Sequence, residues 1–465
     1  MSFLVCLLAL AFLMYVAYRG FSVILFAPIA ALAAVLLTQP SAVLPVYSGL
    51  FMDRMVFFVK MYFPAFMLGA IFGKLIELSG FAASITNAVV NFVGAKRTML
   101  AIVLVCALLT YGGVSLFVVV FAVYPFAAEM FRQSNIPKRL IPGTIALGSF
   151  TFTMDSLPGT PQIQNIIPTT FFKTTPYAAP WLGTLGGVFI LIVGITYLNY
   201  RRKQAERAAE GYGTGHINEM ERVDASKLAN PVIAILPLFV VGIMNLVFTR
   251  MIPKIYGFRS VVQLTPTGRP IEQVVGSFAG IWAVEAALFL GILTVVIFSI
   301  PRIKGKFGDG TKAAIGGALL ASMNTATEYG FGSTIAALPG FIVIRDALLH
   351  IPNPLVNEAV TVNVLAGVTG SASGGLGIAL AAMGDQTIAY AIASGIPAQV
   401  LHRVASMASG GMDTLPHNGA VITLLAVTGL THKQSYRDIF AITCIKTLAV
   451  FLVIALYYLG RGRII

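Results

Sequence analysis

Charge is what this chain has least of. Its 465 residues include 31 Lys and Arg and only 18 Asp and Glu, 11% charged in all, where a soluble protein has about a quarter. Hydrophobic residues make up 57%, mean hydropathy is +0.86, and apolar runs of roughly 18 residues or more recur along the chain. A soluble globular fold is excluded, and a polytopic, all-α membrane protein of the bacterial inner-membrane type is expected. The three cysteines, Cys6, Cys106 and Cys444, lie in apolar segments with neither disulfide nor metal-ligand spacing. The five histidines form no cluster that could hold a metal or complete a nucleophile–base set. No cofactor is therefore expected, and an intramembrane enzyme is a remote alternative. A GxxxxGK[ST] phosphate loop is missing, which argues against a primary pump. A ring of like charges is missing too, which argues against a channel filter.

What remains is a net charge of +13 scattered through loops. That pattern reads as topology information and not as a nucleic-acid footprint. The longest polar stretch, 201–230, is mixed in charge and too short to fold alone. It is expected to be a solvated linker. Placing it in the cytoplasm puts most Lys and Arg on its side, with both termini outward.

Two apolar runs are broken at matching places. Met154-Asp155-Ser156-Leu157-Pro158-Gly159-Thr160 interrupts one, and Met412-Asp413-Thr414-Leu415-Pro416-His417-Asn418 interrupts the other. Proline, glycine and an ionisable side chain at membrane depth are tolerated only where the backbone is buried in protein or lines a cavity. One such break per half is the mark of a carrier with paired discontinuous helices. Two inverted repeats follow. Residues 1–200 hold a re-entrant hairpin at about 99–131 and a broken helix at 137–172. Residues 231–465 hold a hairpin at about 357–383 and a broken helix at 397–427. The halves crossing the membrane an odd number of times requires the inversion. Phe81 onward is amphipathic and reads as a surface helix, with a counterpart from Phe341 to His350.

Tips and breaks together supply helix N-termini near Val114, Gln162, Leu376 and Ala420. Each carries a partial positive charge of about half a unit, enough in combination to hold a carboxylate without a buried lysine or arginine. Gly112, Gly113, Gly370, Gly374 and Gly375 allow close backbone approach, and Gly159 in the first break is a further substrate-binding candidate. Tyr111, Ser115, Ser156, Thr160, Gln162, Thr369, Ser371, Ser373, Thr414, His417 and Asn418 offer neutral hydrogen-bonding groups. This inventory suits a small hydroxylated carboxylate. Asp155 and Asp413 would repel that substrate when ionised, so they are expected to carry the coupling ion. A proton is the favoured one, with sodium, held by tip carbonyls, as the alternative. His417 is either a proton shuttle or a neutral, bonded histidine. His402-Arg403 reads as the aqueous end of a helix, Glu285 and Glu328 as members of structural ion pairs, and Lys74 with Glu77 as a pair on one helical face.

Gly73-Lys74-Leu75-Ile76-Glu77-Leu78-Ser79-Gly80, Asn324-Thr325-Ala326-Thr327-Glu328-Tyr329-Gly330-Phe331-Gly332 and the two Asp-Ser/Thr-Leu-Pro breaks resemble the gluconate/proton symporter family. That family belongs to a wider superfamily that includes the sodium-coupled dicarboxylate symporters. The resemblance covers nearly the whole chain. It implies a homodimer, a mobile transport domain moving in an elevator-like manner, and gluconate-like sugar acids or 3-hydroxybutyrate as substrates. The dicarboxylate relatives carry Ser-Asn-Thr at their hairpin tips. Here the tips read Tyr111-Gly112-Gly113-Val114-Ser115 and Ser371-Ala372-Ser373-Gly374.

Overall fold

The computed structural model describes residues 2–19, 21–93, 97–114, 116–216, 228–257, 259–265, 270–343, 351–416 and 418–460. The helices are α1 (Ser2–Tyr18), α2 (Val23–Thr38), α3 (Met52–Leu78), α4 (Phe81–Val93), α5 (Thr98–Tyr111), α6 (Leu116–Gln133), α7 (Ile141–Ser149), α8 (Phe152–Asp155), α9 (Ile163–Phe172), α10 (Pro180–Arg207), α11 (Pro231–Tyr256), α12 (Val275–Ile303), α13 (Phe307–Ala337), α14 (Pro354–Thr369), α15 (Ala372–Ala393), α16 (Ala398–Gly411), α17 (Gly419–Thr428) and α18 (His432–Leu459). Six helices among the described residues are long and apolar enough to span a bilayer. The chain is a polytopic α-helical membrane protein.

One departure from pure helix stands between α11 and α12. The polar loop there folds into an antiparallel hairpin, β1 (Arg259–Val262) with β2 (Ile271–Val274), pairing Arg259 with Val274.

Helix ends follow local chemistry. Asn230 caps α11 by accepting from Val232 N at 2.9 Å, and Asn353 caps α14 by accepting from Leu355 N and Val356 N. Thr431 and Gln434 form a reciprocal capping box at α18. Pro231 and Pro354 occupy first helical turns, where no N–H partner is lost.

Both hairpins are present. α5 turns into α6 through Gly112 and Gly113, the latter at φ +97°. α14 turns into α15 through Gly370 at φ +65°, a left-handed backbone that glycine adopts without strain. α15 runs on to Ala393, well past 383, and is long enough to cross a bilayer. α4 is amphipathic as expected. Its first half, including Phe81, Ile85 and Thr86, is buried against neighbouring helices, while Phe92 is exposed. Residues 344–350 of its expected counterpart lie outside the described residues.

α3 packs along α13, and α11 along α12. Phe57, Phe58 and Tyr329 join the first pair, with the Phe58 and Tyr329 ring centroids 5.7 Å apart. Lys74 and Glu77 pair at 2.7 Å.

The stretch from Arg201 is less solvated than its composition suggests. α10 continues to Arg207, and Arg201 is buried with its Nε donating to Asp438 Oδ1 at 2.7 Å. Tyr197 donates to the same oxygen at 2.8 Å. Arg139 reaches Asp438 Oδ2 at 3.2 Å and grips Glu210 through Nε at 2.6 Å and Nη2 at 2.8 Å. The segment after α10 is thereby tied to α18 and to the entry of α7. The Arg139 guanidinium holds the Glu210 carboxyl below its ordinary range.

Removing the acceptor of two arginines leaves buried charge uncompensated. Asp438→Asn is expected to lower stability by about 3 kcal/mol, read as a fall in Tm of the detergent-solubilised protein. Glu210 gives its smaller contribution above its unfolded pKa and loses it as pH falls through the lower folded value. Arg139→Gln should therefore flatten the acid side of the stability–pH curve.

Candidate functional site

Each break frees carbonyl groups that helix geometry would otherwise satisfy, and their partners can be followed one by one. In the first break, helix α7 ends at Ser149, α8 makes a single turn, and an irregular stretch leads to α9. Thr151 and Thr153 hydroxyls donate back to Leu147 O at 2.6 Å and Gly148 O at 2.8 Å. Thr160 Oγ1 donates to Thr153 O at 2.7 Å, and Asn165 Nδ2 to Thr160 O at 2.9 Å. Tyr111 Oη donates to Pro158 O at 2.8 Å. Asn245 Nδ2, from α11, donates to Gly159 O at 2.9 Å.

Further carbonyls are served by two buried cations from the second half. Arg403 on α16 is completely buried. It donates to Asp155 O at 2.8 Å, Ala178 O at 2.8 Å, Pro176 O at 3.3 Å and Asn165 Oδ1 at 3.1 Å. Lys446 on α18 donates to Phe150 O at 3.1 Å and forms an ion pair with Asp413 of the second break. Lys446 is thus a bridge between the two broken helices. The expectations of a site without buried cations and of Arg403 at an aqueous helix end are both corrected. The reason is that a guanidinium fork and an ammonium can satisfy several carbonyls at once.

The second break closes in the same way. Thr447 Oγ1 donates to Gly411 O at 2.9 Å, Tyr436 Oη to Thr414 O at 3.1 Å, and the Thr414 and Thr443 hydroxyls lie 2.5 Å apart. Asn418 caps α17 through Oδ1, and its Nδ2 donates to Gly370 O at 2.7 Å. Gln162, at the matching place before α9, donates to Thr110 O at 2.7 Å and Val114 O at 3.3 Å. Each hairpin tip is therefore docked on the break of its own half, and the breaks are joined to each other by Arg403 and Lys446.

Asp155 sits at that junction. It is 1% exposed, its Oδ1 accepts from Ser156 Oγ at 2.7 Å, and its Oδ2 is buried with no partner among the described residues. Gly410 makes room for it: a Cβ there would stand 1.9 Å from Oδ2. Asp155 and Asp413 thus face one region from the two breaks, one carboxylate paired with a cation and the other not.

The other residues singled out fall into two groups. Gly112 and Gly113 make room for Leu238, Leu288 and Phe72 from the long helices, and Gly159, at φ +80°, makes room for Tyr177. At the second tip, Thr369 Oγ1 donates to Leu365 O at 2.9 Å, Ser371 Oγ accepts from Gly374 N at 3.0 Å, and Ser373 Oγ lies 3.3 Å from Thr325 Oγ1. Ser115 and His417 lie outside the described residues. His402 is buried between Thr174 Oγ1 at 2.6 Å and Asn165 Oδ1 at 3.1 Å. Glu328 forms no ion pair among the described residues, and its Oε2 is an unpartnered buried atom. The expectation of an ion pair there is corrected, since no cation is packed against it. Reasoning from sequence missed the roles of Arg403 and Lys446, although a basic residue inside an apolar run was itself the signal to look for a partner.

No protein-family model matches the chain. It is 59% identical over 472 residues to an uncharacterised transporter, YxjC, of Bacillus subtilis strain 168, with 99% of each chain covered. The chain belongs to the YxjC transporter family. Among solved structures it is similar to the YdaH transporter of Alcanivorax borkumensis, with a TM-score of 0.57 at 11% identity over 92% of this chain and 90% of that one. It is also similar to MtrF of Neisseria gonorrhoeae, described with a class of antimetabolite efflux pumps. There the TM-score is 0.55 at 11% identity over 90% of this chain and 85% of the other. Identity at that level carries the fold alone. The protein is a multi-pass transporter of the bacterial plasma membrane.

Arg403 carries a prediction of its own. Lysine cannot reproduce the fork onto Asp155, Ala178, Pro176 and Asn165, so Arg403→Lys should lower stability by roughly 2–4 kcal/mol while leaving the membrane-inserted fraction intact. Thermal unfolding and fluorescence-detected size exclusion check the two halves of that statement.

Proposed function

We propose that this transporter carries a small hydroxylated carboxylate, a gluconate-like sugar acid or 3-hydroxybutyrate, together with a proton. The observation that supports this reading most is the balance of buried charge where the breaks meet. Asp155 and Asp413 stand against Arg403 and Lys446, so the ionised set is neutral. Adding a carboxylate alone would bury an uncompensated negative charge, which is costly in a low-dielectric interior. Adding a carboxylate and a proton together leaves the balance unchanged. Asp413 is held by Lys446, whereas Asp155 has a free oxygen, so Asp155 is assigned the proton. Asp413 is assigned the task of keeping Lys446 charged.

In this reading the substrate's carboxylate takes helix N-termini at the tips and breaks, and its hydroxyls meet Ser156, Thr160, Ser371, Ser373 and Thr414. Residues 1–200 and 231–465 act as inverted repeats joined by the 201–230 linker. Tips and breaks move together as a transport domain, elevator-fashion, within a homodimer. The tight docking of each tip on its own break by Gln162 and Asn418 favours movement of the assembly as one body.

Uptake of labelled hydroxy acids into proteoliposomes, with proton and sodium gradients imposed separately, is the test. Accumulation driven by an inward proton gradient is expected. Accumulation driven by sodium alone would replace the proton in this scheme. Asp155→Asn should sharply lower accumulation above equilibrium while retaining counterflow of preloaded substrate. Full accumulation by that variant would remove Asp155 from the coupling step.

A further inference from the structure

A carboxyl group packed against the second hairpin plays no part in the charge balance of Asp155, Asp413, Arg403 and Lys446. Glu328, on α13, is 4% exposed. A Cβ added at Gly374 would stand 1.6 Å from its Oε2, so the carboxyl lies directly on the first turn of α15, a helix of 22 residues. That oxygen has no hydrogen-bond partner. Around it, Ser373 Oγ lies 3.3 Å from Thr325 Oγ1 and 3.5 Å from Ser371 Oγ. A positive helix end favours an anion; Ser371 Oγ takes the Gly374 N–H of that turn, and the buried, unpartnered Glu328 carboxyl lies beside it.

Among the described residues, nothing nearby neutralises the group. On α3, Tyr62 is buried and donates to Ile167 O, Asp53, Arg54 and Lys60 are exposed, and Lys74 pairs with Glu77. Tyr47, in the turn before α3, is exposed, and α2 has no titratable side chain. On α15, Asp385 and Tyr390 are exposed or partly so. Glu358, also buried without a partner, stands near the Pro354 start of α14, at the far end of that arm from the tip.

We propose that Glu328 is a second proton-binding residue of the transport site, and that the α15 N-terminus accepts the substrate's carboxylate only when Glu328 is protonated. Two carboxylates cannot share one helix end uncompensated, because like charges in a dry site repel strongly. While the site is empty, an ionised Glu328 lies beside the first turn of α15, where the positive helix end favours it. The incoming carboxylate takes that place, and the Glu328 oxygen receives a proton and stays behind as a neutral hydrogen-bond donor. This inference rests on the carboxylate reading of the preceding subsection. It adds one proton to the one on Asp155, so transport of a monocarboxylate moves a net positive charge inward.

Membrane potential separates the two claims. In proteoliposomes with a valinomycin-set potassium potential, inside-negative voltage should speed uptake by wild type. Glu328→Gln should keep pH-driven uptake through Asp155 but lose the response to voltage. Voltage-insensitive uptake by wild type, or an unchanged voltage response in Glu328→Gln, overturns the assignment while leaving the carboxylate reading in place. If none of the hydroxy acids is taken up by wild type, both fall. Should Glu328→Gln fail to fold, proton uptake on mixing gluconate or 3-hydroxybutyrate with weakly buffered wild type decides the matter. An indicator dye should report about twice the proton uptake seen with Asp155→Asn. No proton uptake by Asp155→Asn, with normal uptake by wild type, overturns the proposal.

Discussion

Everything in this molecule depends on the requirement that main-chain polar groups buried away from water find partners. Two helices are interrupted deep in the protein, and each interruption sets carbonyls free. Threonine and asparagine side chains satisfy some of them locally. Others are met by Arg403 and Lys446, which belong to the second half but reach Asp155 O and Phe150 O in the first. The breaks are therefore parts of one polar centre, and neither could keep its shape without the other.

The same requirement explains why so little charge goes so far. A buried cation needs acceptors, and the broken backbone provides them in number. A buried cation also needs a counter-charge, and Asp413 supplies it for Lys446. Asp155 then stands with one oxygen bonded to Ser156 and one free, opposite Gly410, where any larger residue would fill its space. The docking of each hairpin tip on a break by one amide side chain, Gln162 or Asn418, is the matching device in the two halves.

Much of this was legible in the sequence. The motif around Asp155 and its near-copy around Asp413 located both breaks, because proline and glycine interrupt a helix by local sterics that need no tertiary information. The restart points near Gln162 and Ala420 fell within a residue of the helices that begin at Ile163 and Gly419. The hairpin tips were found from their glycines for the same reason. What those glycines face was not legible: Gly112 and Gly113 admit Leu238 and Leu288 from distant helices, contacts that depend on packing across more than a hundred residues of chain. The long polar partners were hidden likewise. Arg403 and Lys446 each stood in plain view inside an apolar run, but their acceptors are backbone carbonyls, which have no signature in the side-chain alphabet. The connector after Tyr200 looked solvated because its composition is mixed, and Asp438, its partner, lies at the other end of the chain.

The bridge made by Lys446 is the point where the account is most exposed, and a double-mutant cycle on Asp413 and Lys446 tests it directly. Asp413→Asn and Lys446→Met each leave an unpaired charge in the interior. Together they leave none, so the double variant should recover stability, with a coupling of about 2 kcal/mol or more in thermal or denaturant unfolding. Losses that simply add would mean that the two side chains do not meet, and that the broken helices are not held together in this way.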